Sequence, residues 1–286
     1  MVRWEERPAL RAPVLVCAFR GWNDAGEAAT SALDWLDQRF DADEFARIDP
    51  EEFFDFTAVR PTVRLVDGEI RTVEWPEWVL RAARIEGADS DLVLLQGVEP
   101  SLRWRTFCET IVSIAGELGV ERVVSLGALL ADVPHTRPVA ITGIASDEAL
   151  VDRHGFNRSG YEGPTGVVGV LHSALADAGL SAVSLWASVP HYVAATPNPK
   201  AALALIRGFE AVTGLAVEAG ELEDEASDYE RQVSAAVASD SDVKEFVERL
   251  EQAMDEVGDE VLPDELPSAD TIARDFQKYL RQQRPE

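Results

Sequence analysis

Cysteine, lysine and histidine are scarce in this sequence, and their scarcity excludes several kinds of site. The chain has two cysteines, three lysines and four histidines among 286 residues. Cys17 lies in an apolar run of strand length and Cys108 in a stretch with helical periodicity, so we interpret both as buried apolar residues and not as a redox pair. No two histidines have the i, i+4 spacing of a helical zinc site,. We therefore expect no metal and no cofactor.

Long hydrophobic runs are also missing. One of the longest, from Ala182 to Val189, is interrupted by Ser184 and Ser188 and is too short to span a bilayer. Residues 1–11 lack the apolar segment of a secretory signal,. We expect no membrane segment and a cytoplasmic location.

Positive charge is in short supply. The formal net charge is −26, whereas nucleic-acid binding draws its affinity from lysine and arginine that neutralise phosphates. Anionic lipid surfaces would repel such a chain as well. Residues 215–286 alone hold 21 acidic and 7 basic residues, which marks the last quarter as a distinct acidic region. We expect neither nucleic acid nor a membrane as a partner.

Apolar runs of strand length alternate with amphipathic stretches along most of the chain. The first run, Pro13 to Phe19, is closed by Gly21 and followed by a helical pattern that reaches about Gln38,. This alternation predicts an α/β fold with a mostly parallel sheet between two helical layers, a three-layer α/β/α sandwich. The further strands are predicted at 92–97, 123–130, 139–144 and 182–189, and the further helices at 104–118, about 167–178 and 199–212.

Other segments depart from that alternation. Asp67-Gly68 between alternating segments at 62–66 and 70–73 predicts a β-hairpin,. Residues 53–56 suggest the start of an extended piece, and residues 147–153 a short helix. From Glu221 onward the pattern predicts three amphipathic helices and no strand,. We therefore expect an α/β domain at 1–214 and an acidic helical C-terminal region at 215–286.

The common catalytic and phosphate-binding motifs are absent. Gly21 to Gly26 lies where a phosphate-binding loop would lie, but it matches neither the dinucleotide-binding nor the P-loop pattern,. Acidic residues at this helix start are better explained as capping residues. Ser125 lacks the Gly-x-Ser-x-Gly context of a nucleophile elbow,. We therefore predict no catalytic residue from the sequence.

Polar side chains do follow the predicted strands, and the carboxyl ends of parallel strands are where such sheets bind ligands. Together they offer a base, carboxylates and an anion-binding guanidinium. The simpler alternative is a loop that hydrogen-bonds to its neighbours or contacts another subunit. This candidate pocket or interface consists of Asn23, Asp24, Glu99, Asp132, His135, Thr136, Arg137 and His191.

Several of these segments resemble a known family. Phe19 to Gly26, Phe53 to Phe56 and Arg60-Pro61 look like the opening of the proteasome assembly chaperone family, in the branch of the eukaryotic second assembly chaperone. Gly97 to Pro100 and Tyr161 to Gly166 are similar to actinobacterial members. The resemblance covers about residues 13–213. It implies a phosphorylase/hydrolase-like α/β/α sandwich, self-association as a homotrimer, and chaperone-like contacts with proteins such as proteasome subunits.

The C-terminal residues depart from the pattern of family members that bind the proteasome, which carry a hydrophobic-Tyr-X tail. Here Tyr279 stands six residues before the penultimate position. The resemblance therefore implies docking through this tail only if the tail is trimmed.

Two functions follow as hypotheses. The first is a non-enzymatic protein-interaction protein that resembles proteasome assembly chaperones. The alternative is an enzyme on a phosphorylase/hydrolase-like scaffold that acts on a small anionic or nucleoside-like molecule.

Overall fold

A computed structural model describes residues 2–66, 70–146, 151 and 153–257. The strands are β1 (Val2–Trp4), β2 (Val14–Arg20), β3 (Asp43–Ile48), β4 (Thr62–Val66), β5 (Ile70–Glu74), β6 (Trp78–Ala83), β7 (Leu92–Val98), β8 (Arg122–Ala131), β9 (Ile141–Ala145), β10 (Asn157–Arg158) and β11 (Ser181–Pro190). The helices are α1 (Ala28–Phe40), α2 (Trp104–Leu118), α3 (Val167–Asp177), α4 (Pro199–Thr213), α5 (Gly220–Ala238) and α6 (Ser241–Val257).

Nine strands form one sheet in the order β1-β3-β6-β7-β2-β8-β11-β9-β10. The four central strands β7, β2, β8 and β11 are parallel. Most of their residues are buried because helices cover both faces of the sheet,. The outer strands β1, β3 and β6 are antiparallel to their neighbours, and β9 is antiparallel to β11.

Two apolar cores lie on opposite faces of this sheet. On one face α1 and α4 pack side by side and contribute Leu33, Leu205 and Phe209. On the other face α2 and α3 contribute Ile111 and Leu171. Two helical layers around a sheet with a parallel centre confirm the expected three-layer α/β/α fold.

Both cysteines lie in the second core, as the sequence predicted. Cys17 is fully buried in β2 and Cys108 in α2, and both are free thiols. Burial raises the pKa of each thiol to about 12, which suppresses the reactive thiolate. None of the helices in the described ranges is long and apolar enough to cross a bilayer.

The strands on the β1 side of the sheet were not predicted, because charged residues interrupt their apolar pattern. In β3, Arg47 forms ion pairs with Glu44 and with Glu77. In β6, Arg81 lies 3.4 Å from a carboxylate oxygen of Asp37 in α1. The charges are tolerated because the strands of this edge are only partly buried.

The prediction of an extended piece at residues 53–56 is wrong: the structure has turns at 51–53 and 56–58 and no strand between them. The apolar side chains of this segment are part of an aromatic cluster instead. Phe54 stacks on Trp78 with ring centroids 4.5 Å apart, and Phe53 meets Trp78 edge-on at 5.7 Å. Phe107 of α2 completes the cluster at 4.6 Å from Trp78.

The predicted hairpin is confirmed as a separate two-stranded antiparallel sheet of β4 and β5. Residues 67–69, which include its Asp-Gly turn, lie outside the described residues, as does most of the short helix predicted at 147–153.

Two of the three C-terminal helices are confirmed as α5 and α6, and the third falls in residues 258–286, outside the described part of the chain. Helix α5 packs on α4. Leu215, Val217 and Leu222 are buried in the same core as α1 and α4. The division into two domains at residue 214 stays a prediction.

Candidate functional site

Asn23 and Glu99 meet at the carboxyl ends of β2 and β7. The buried Asn23 Nδ2 donates to Glu99 Oε1 at 2.7 Å. The same oxygen accepts the backbone N–H of Val167, the first residue of α3, at 2.8 Å. Glu99 thereby satisfies a free donor of the helix N-terminus and complements the helix dipole. This carboxylate joins two strand ends to a helix.

Gly166 must be a glycine for this arrangement to form. A Cβ atom at Gly166 would lie 2.3 Å from Asn23 Oδ1 and 2.5 Å from Asn23 Nδ2. We predict that Gly166→Ala displaces the Asn23 amide and lowers the free energy of unfolding by about 1–3 kcal/mol, as overpacking does. Chemical denaturation measures this loss. Adding Asn23→Ala to Gly166→Ala should recover part of it, since the amide is then gone, and equal additive losses would contradict the clash.

Asp24 caps helix α1. Its Oδ1 accepts the backbone N–H groups of Ala29 at 2.8 Å and Thr30 at 3.2 Å, and its Oδ2 accepts the Thr30 hydroxyl at 2.5 Å. Burial raises the pKa of Asp24, and these hydrogen bonds oppose the rise. The expectation that acidic residues at this helix start act as caps is confirmed for Asp24.

His135 is buried in the loop after β8 and contacts α5. Tyr192 Oη accepts the His135 backbone N–H at 2.7 Å and lies 2.7 Å from Nδ1, while Nε2 lies 3.0 Å from Ser234 Oγ of α5. Since the Tyr192 hydroxyl accepts from the backbone, we assign its own proton to the bond with Nδ1 and the ring proton to Nε2. Both ring nitrogens are thus engaged by the chain itself.

The protonation of His135 should make the fold sensitive to pH. Burial, then the nearby Lys200 ammonium, lower the pKa of His135, and Glu230 and Glu251 oppose them. The unfolded chain therefore takes up a proton near the ordinary pKa of about 6.5 while the folded chain does not. This contribution to stability is complete above about pH 6.5 and is lost as the pH falls toward the lowered folded pKa.

We predict a smaller loss of unfolding free energy between about pH 7.5 and pH 5.5 in His135→Gln than in the wild type. Denaturant titration at each pH measures it. Burial also lowers the pKa of His172. His172 therefore contributes to the pH dependence of stability in both proteins. Identical pH profiles would contradict the assignment to His135.

Thr136 and Arg137 bind helix α6. The Arg137 guanidinium forms a two-pronged ion pair with Asp255, at 2.9 Å from Nε and 2.7 Å from a terminal nitrogen. The Thr136 hydroxyl donates to Glu251, one turn earlier on the same helix face. The carboxylate that neutralises this guanidinium therefore belongs to the chain itself.

Asp132 and His191 form an exposed pair between the ends of β8 and β11. His191 Nδ1 lies 2.8 Å from Asp132 Oδ1. The imidazole ring meets Phe246 of α6 edge-on, with ring centroids 5.6 Å apart. Tyr192 also meets Phe246 edge-on at 5.9 Å, so an aromatic contact adds to the polar ones that hold α6.

Lys200 is the central residue of this region, although it was not among the predicted site residues. It lies in the first turn of α4, where Asn198 caps the helix by accepting the Ala201 N–H at 3.0 Å. The Lys200 ammonium donates to the carbonyl oxygens of His135 at 2.5 Å and Arg137 at 2.8 Å, and to Glu230 of α5. One partly buried cation thus joins the loop after β8 to α4 and α5.

The eight candidate residues fall into two groups. Asn23, Asp24 and Glu99 lie where β2 and β7 end and where helices α1 and α3 begin. The other five lie in or beside the loop after β8. Within the described ranges, no hydrogen bond joins one group to the other. A cavity beside His135 and Lys200 has a volume of about 20 Å³, enough for about one water molecule.

The sequence contained a signal for some of the residues that were missed. Lys200 is one of three lysines in a chain with 23 arginines. Glu251 and Asp255 share the i, i+4 spacing of one helix face, which fits a basic partner such as Arg137. Tyr192 and Ser234 gave no such signal, because a single hydroxyl has no pattern.

The sequence of this chain matches a known protein family. The model of the PAC2 family matches residues 18–237, which include both groups of candidate residues and all but the last residue of helix α5. The chain belongs to the PAC2 family. A search of curated proteins gave no significant match.

Several solved structures share this fold. A PAC2 family protein from Streptomyces avermitilis is 47% identical, with 82% of this chain and 99% of that chain covered and a TM-score of 0.77. A proteasome-assembly chaperone homologue from Mycobacterium tuberculosis is 45% identical over the same shares, also with a TM-score of 0.77. An archaeal proteasome activator from Pyrococcus furiosus, 16% identical with a TM-score of 0.66 over 82% and 98% of the two chains, shares the fold.

Proposed function

We propose that this PAC2 protein is a non-enzymatic protein-interaction protein of the proteasome-assembly-chaperone type. The observation that carries the proposal is that the polar groups at the strand ends bind other residues of the chain. Arg137 is paired with Asp255, and His135 is held between Tyr192 and Ser234. A catalytic site needs such groups directed at a substrate, whereas here they hold two acidic helices against the loop after β8.

The relatives support a chaperone-like role. A protein 45% identical over 82% of this chain is described as a proteasome-assembly chaperone homologue. By analogy we propose proteasome subunits as the partner, a cytoplasmic location, and self-association as a homotrimer.

Binding to purified proteasome subunits of the same organism tests the proposal. The full chain is immobilised, each subunit is passed over it separately, and bound protein is measured at low and at high salt. An unrelated protein with similar net negative charge is the control, because a charge of −26 attracts basic proteins without specificity. We expect at least one subunit to bind this chain at high salt and not the control.

Failure of every subunit to bind would contradict the chaperone proposal. A thermal-shift screen with nucleotides and inorganic phosphate is the complementary test. A ligand that raises the melting temperature of the wild type but not of Arg137→Ala would support the enzyme hypothesis instead.

A further inference from the structure

Helix α6 contacts the rest of the molecule through a single face with little buried apolar surface. Between residues 241 and 256, Val247 is the only residue that is almost completely buried. Helix α5, by comparison, buries Leu222, Ala226 and Val233. The residues of α6 that are at least partly buried recur at intervals of three and four, as one helix face does: Val243, Phe246, Val247, Leu250, Glu251 and Met254.

The other contacts of α6 are polar or aromatic and lie close to solvent. Asp255, the partner of Arg137, is 58% exposed. Phe246 meets His191 and Tyr192 edge-on. Ion pairs of this kind contribute little net stability and are screened by salt. Helix α6 can therefore leave the molecule locally while the buried sheet stays folded. We call the residues on which α6 lies the strand-end surface: Thr136, Arg137, His191 and Tyr192.

The strand-end surface lies within the family scaffold, whereas the helix that covers it does not. The model of the PAC2 family matches residues 18–237, which contain all four residues of the surface. Helix α6 begins at Ser241, beyond the end of that match. The scaffold thus offers a surface for a helix that the scaffold itself does not supply. This separation favours an exchangeable occupant over a permanent part of the core.

The contacts made by α6 define the chemistry of any helix that fits the strand-end surface. Arg137 binds one carboxylate with two hydrogen bonds, at 2.9 Å and 2.7 Å. The Thr136 hydroxyl donates to a second carboxylate one turn earlier. His191 and Tyr192 contact an aromatic ring. The surface therefore fits an amphipathic helix with an aromatic side chain and two carboxylates four residues apart.

The overall charge makes this fit selective. A chain with a net charge of −26 repels an acidic helix over most of its surface,. An acidic helix is therefore held only where local charges are complementary, as they are at Arg137, and charge complementarity of this kind fixes specificity and register more than affinity.

We propose that the strand-end surface binds an acidic amphipathic helix of a partner protein, and that the partner binds by displacing α6. The proposal rests on the interaction function proposed above and gives it a surface. Only Ser239 and Asp240 separate α5 from α6. So short a linker keeps α6 at a high effective concentration, which makes the covered state the resting state.

A peptide with the sequence of residues 241–257 is the probe for this surface. It is labelled with a fluorophore, and its binding to the full chain is measured by anisotropy. The double variant Glu251→Gln with Asp255→Asn keeps the shape of α6 but removes the carboxylates that hold it. The peptide should bind this variant at least about tenfold more tightly than the wild type, whose own helix competes.

Two further variants show whether the peptide occupies the proposed surface. Adding Arg137→Ala to the double variant should weaken peptide binding by about tenfold or more, because the charged hydrogen bonds to Asp255 of the peptide are lost. Glu245→Gln with Glu248→Gln removes the same charge from the exposed side of α6, where these residues pair with Arg249 and Lys244. This control should bind the peptide as weakly as the wild type does.

Hydrogen exchange of the double variant gives a second readout. Amides of 241–257 should exchange faster than in the wild type, while those of 220–238 keep their rates. The proposal is overturned by unchanged exchange in α6, by no peptide binding to the double variant at about 0.5 mM, or by binding that Arg137→Ala does not weaken. Peptide binding to the double variant without binding of any proteasome subunit would support this surface and contradict only the chaperone proposal.

Discussion

Replacing Gly97 with alanine is expected to lower the free energy of unfolding by about 3 kcal/mol, near the upper end of the usual cost of overpacking. A Cβ atom at Gly97 would lie 2.2 Å from Trp78 Cδ1 and 2.9 Å from the carbonyl oxygen of Glu77. Trp78 cannot move aside, because it is fully buried between Phe54 and Phe107. The clash must therefore shift strand β6 against β7 or break the aromatic cluster.

Gly116→Ala is the matched control. Gly116 lies on the exposed side of α2, where an added Cβ meets no atom within 4 Å. Alanine in a helix is favoured over glycine by up to about 1 kcal/mol, so this variant should be as stable as the wild type or more so. Chemical denaturation of both variants decides the matter. A Gly97→Ala protein with the wild-type midpoint would show that the cluster yields without cost.

Lys200→Met should destabilise the protein by about 2–4 kcal/mol and loosen α5. The methionine side chain keeps most of the apolar stem but removes the ammonium that binds two carbonyl oxygens and Glu230. Leaving a buried acceptor without a donor costs about 1–3 kcal/mol, and the three acceptors here are partly buried. Amides in 220–238 should then exchange with solvent faster than in the wild type.

The control for this variant is another lysine. Lys244 is 59% exposed on α6 and lies 3.7 Å from Glu248, a surface pair that contributes about 0.5 kcal/mol or less. Lys244→Met should therefore leave both the unfolding free energy and the exchange of α5 nearly unchanged. Equal effects of the two substitutions would mean that Lys200 acts only as a surface charge.

The central part of the fold was predictable because its signals are local. Buried parallel strands such as β2 have continuous apolar runs, and Gly119 and Gly214 mark helix ends with left-handed backbone,. Strands β3 and β6 were not predictable in the same way. Their charged residues, Arg47 and Arg81, are neutralised by partners that only the tertiary structure brings close.

The location of the candidate site was predictable, but the role of its residues was not. The rule for parallel sheets locates Asn23, Glu99 and His135 at the carboxyl ends of the strands. It says nothing about what fills that edge. Asp255 approaches Arg137 across 118 positions of sequence, and no local pattern reports such a pairing. Polar residues at a strand end were therefore candidates for catalysis until their partners became visible.

The rate of proteasome assembly from purified subunits tests the central claim of a chaperone-like function most directly. Ring formation is followed by native gel electrophoresis with and without this protein, in the same subunit mixture. We predict faster formation of assembled rings when the chain is present. Unchanged assembly, together with the absence of any complex between the chain and a subunit, would contradict the function proposed for this PAC2 protein.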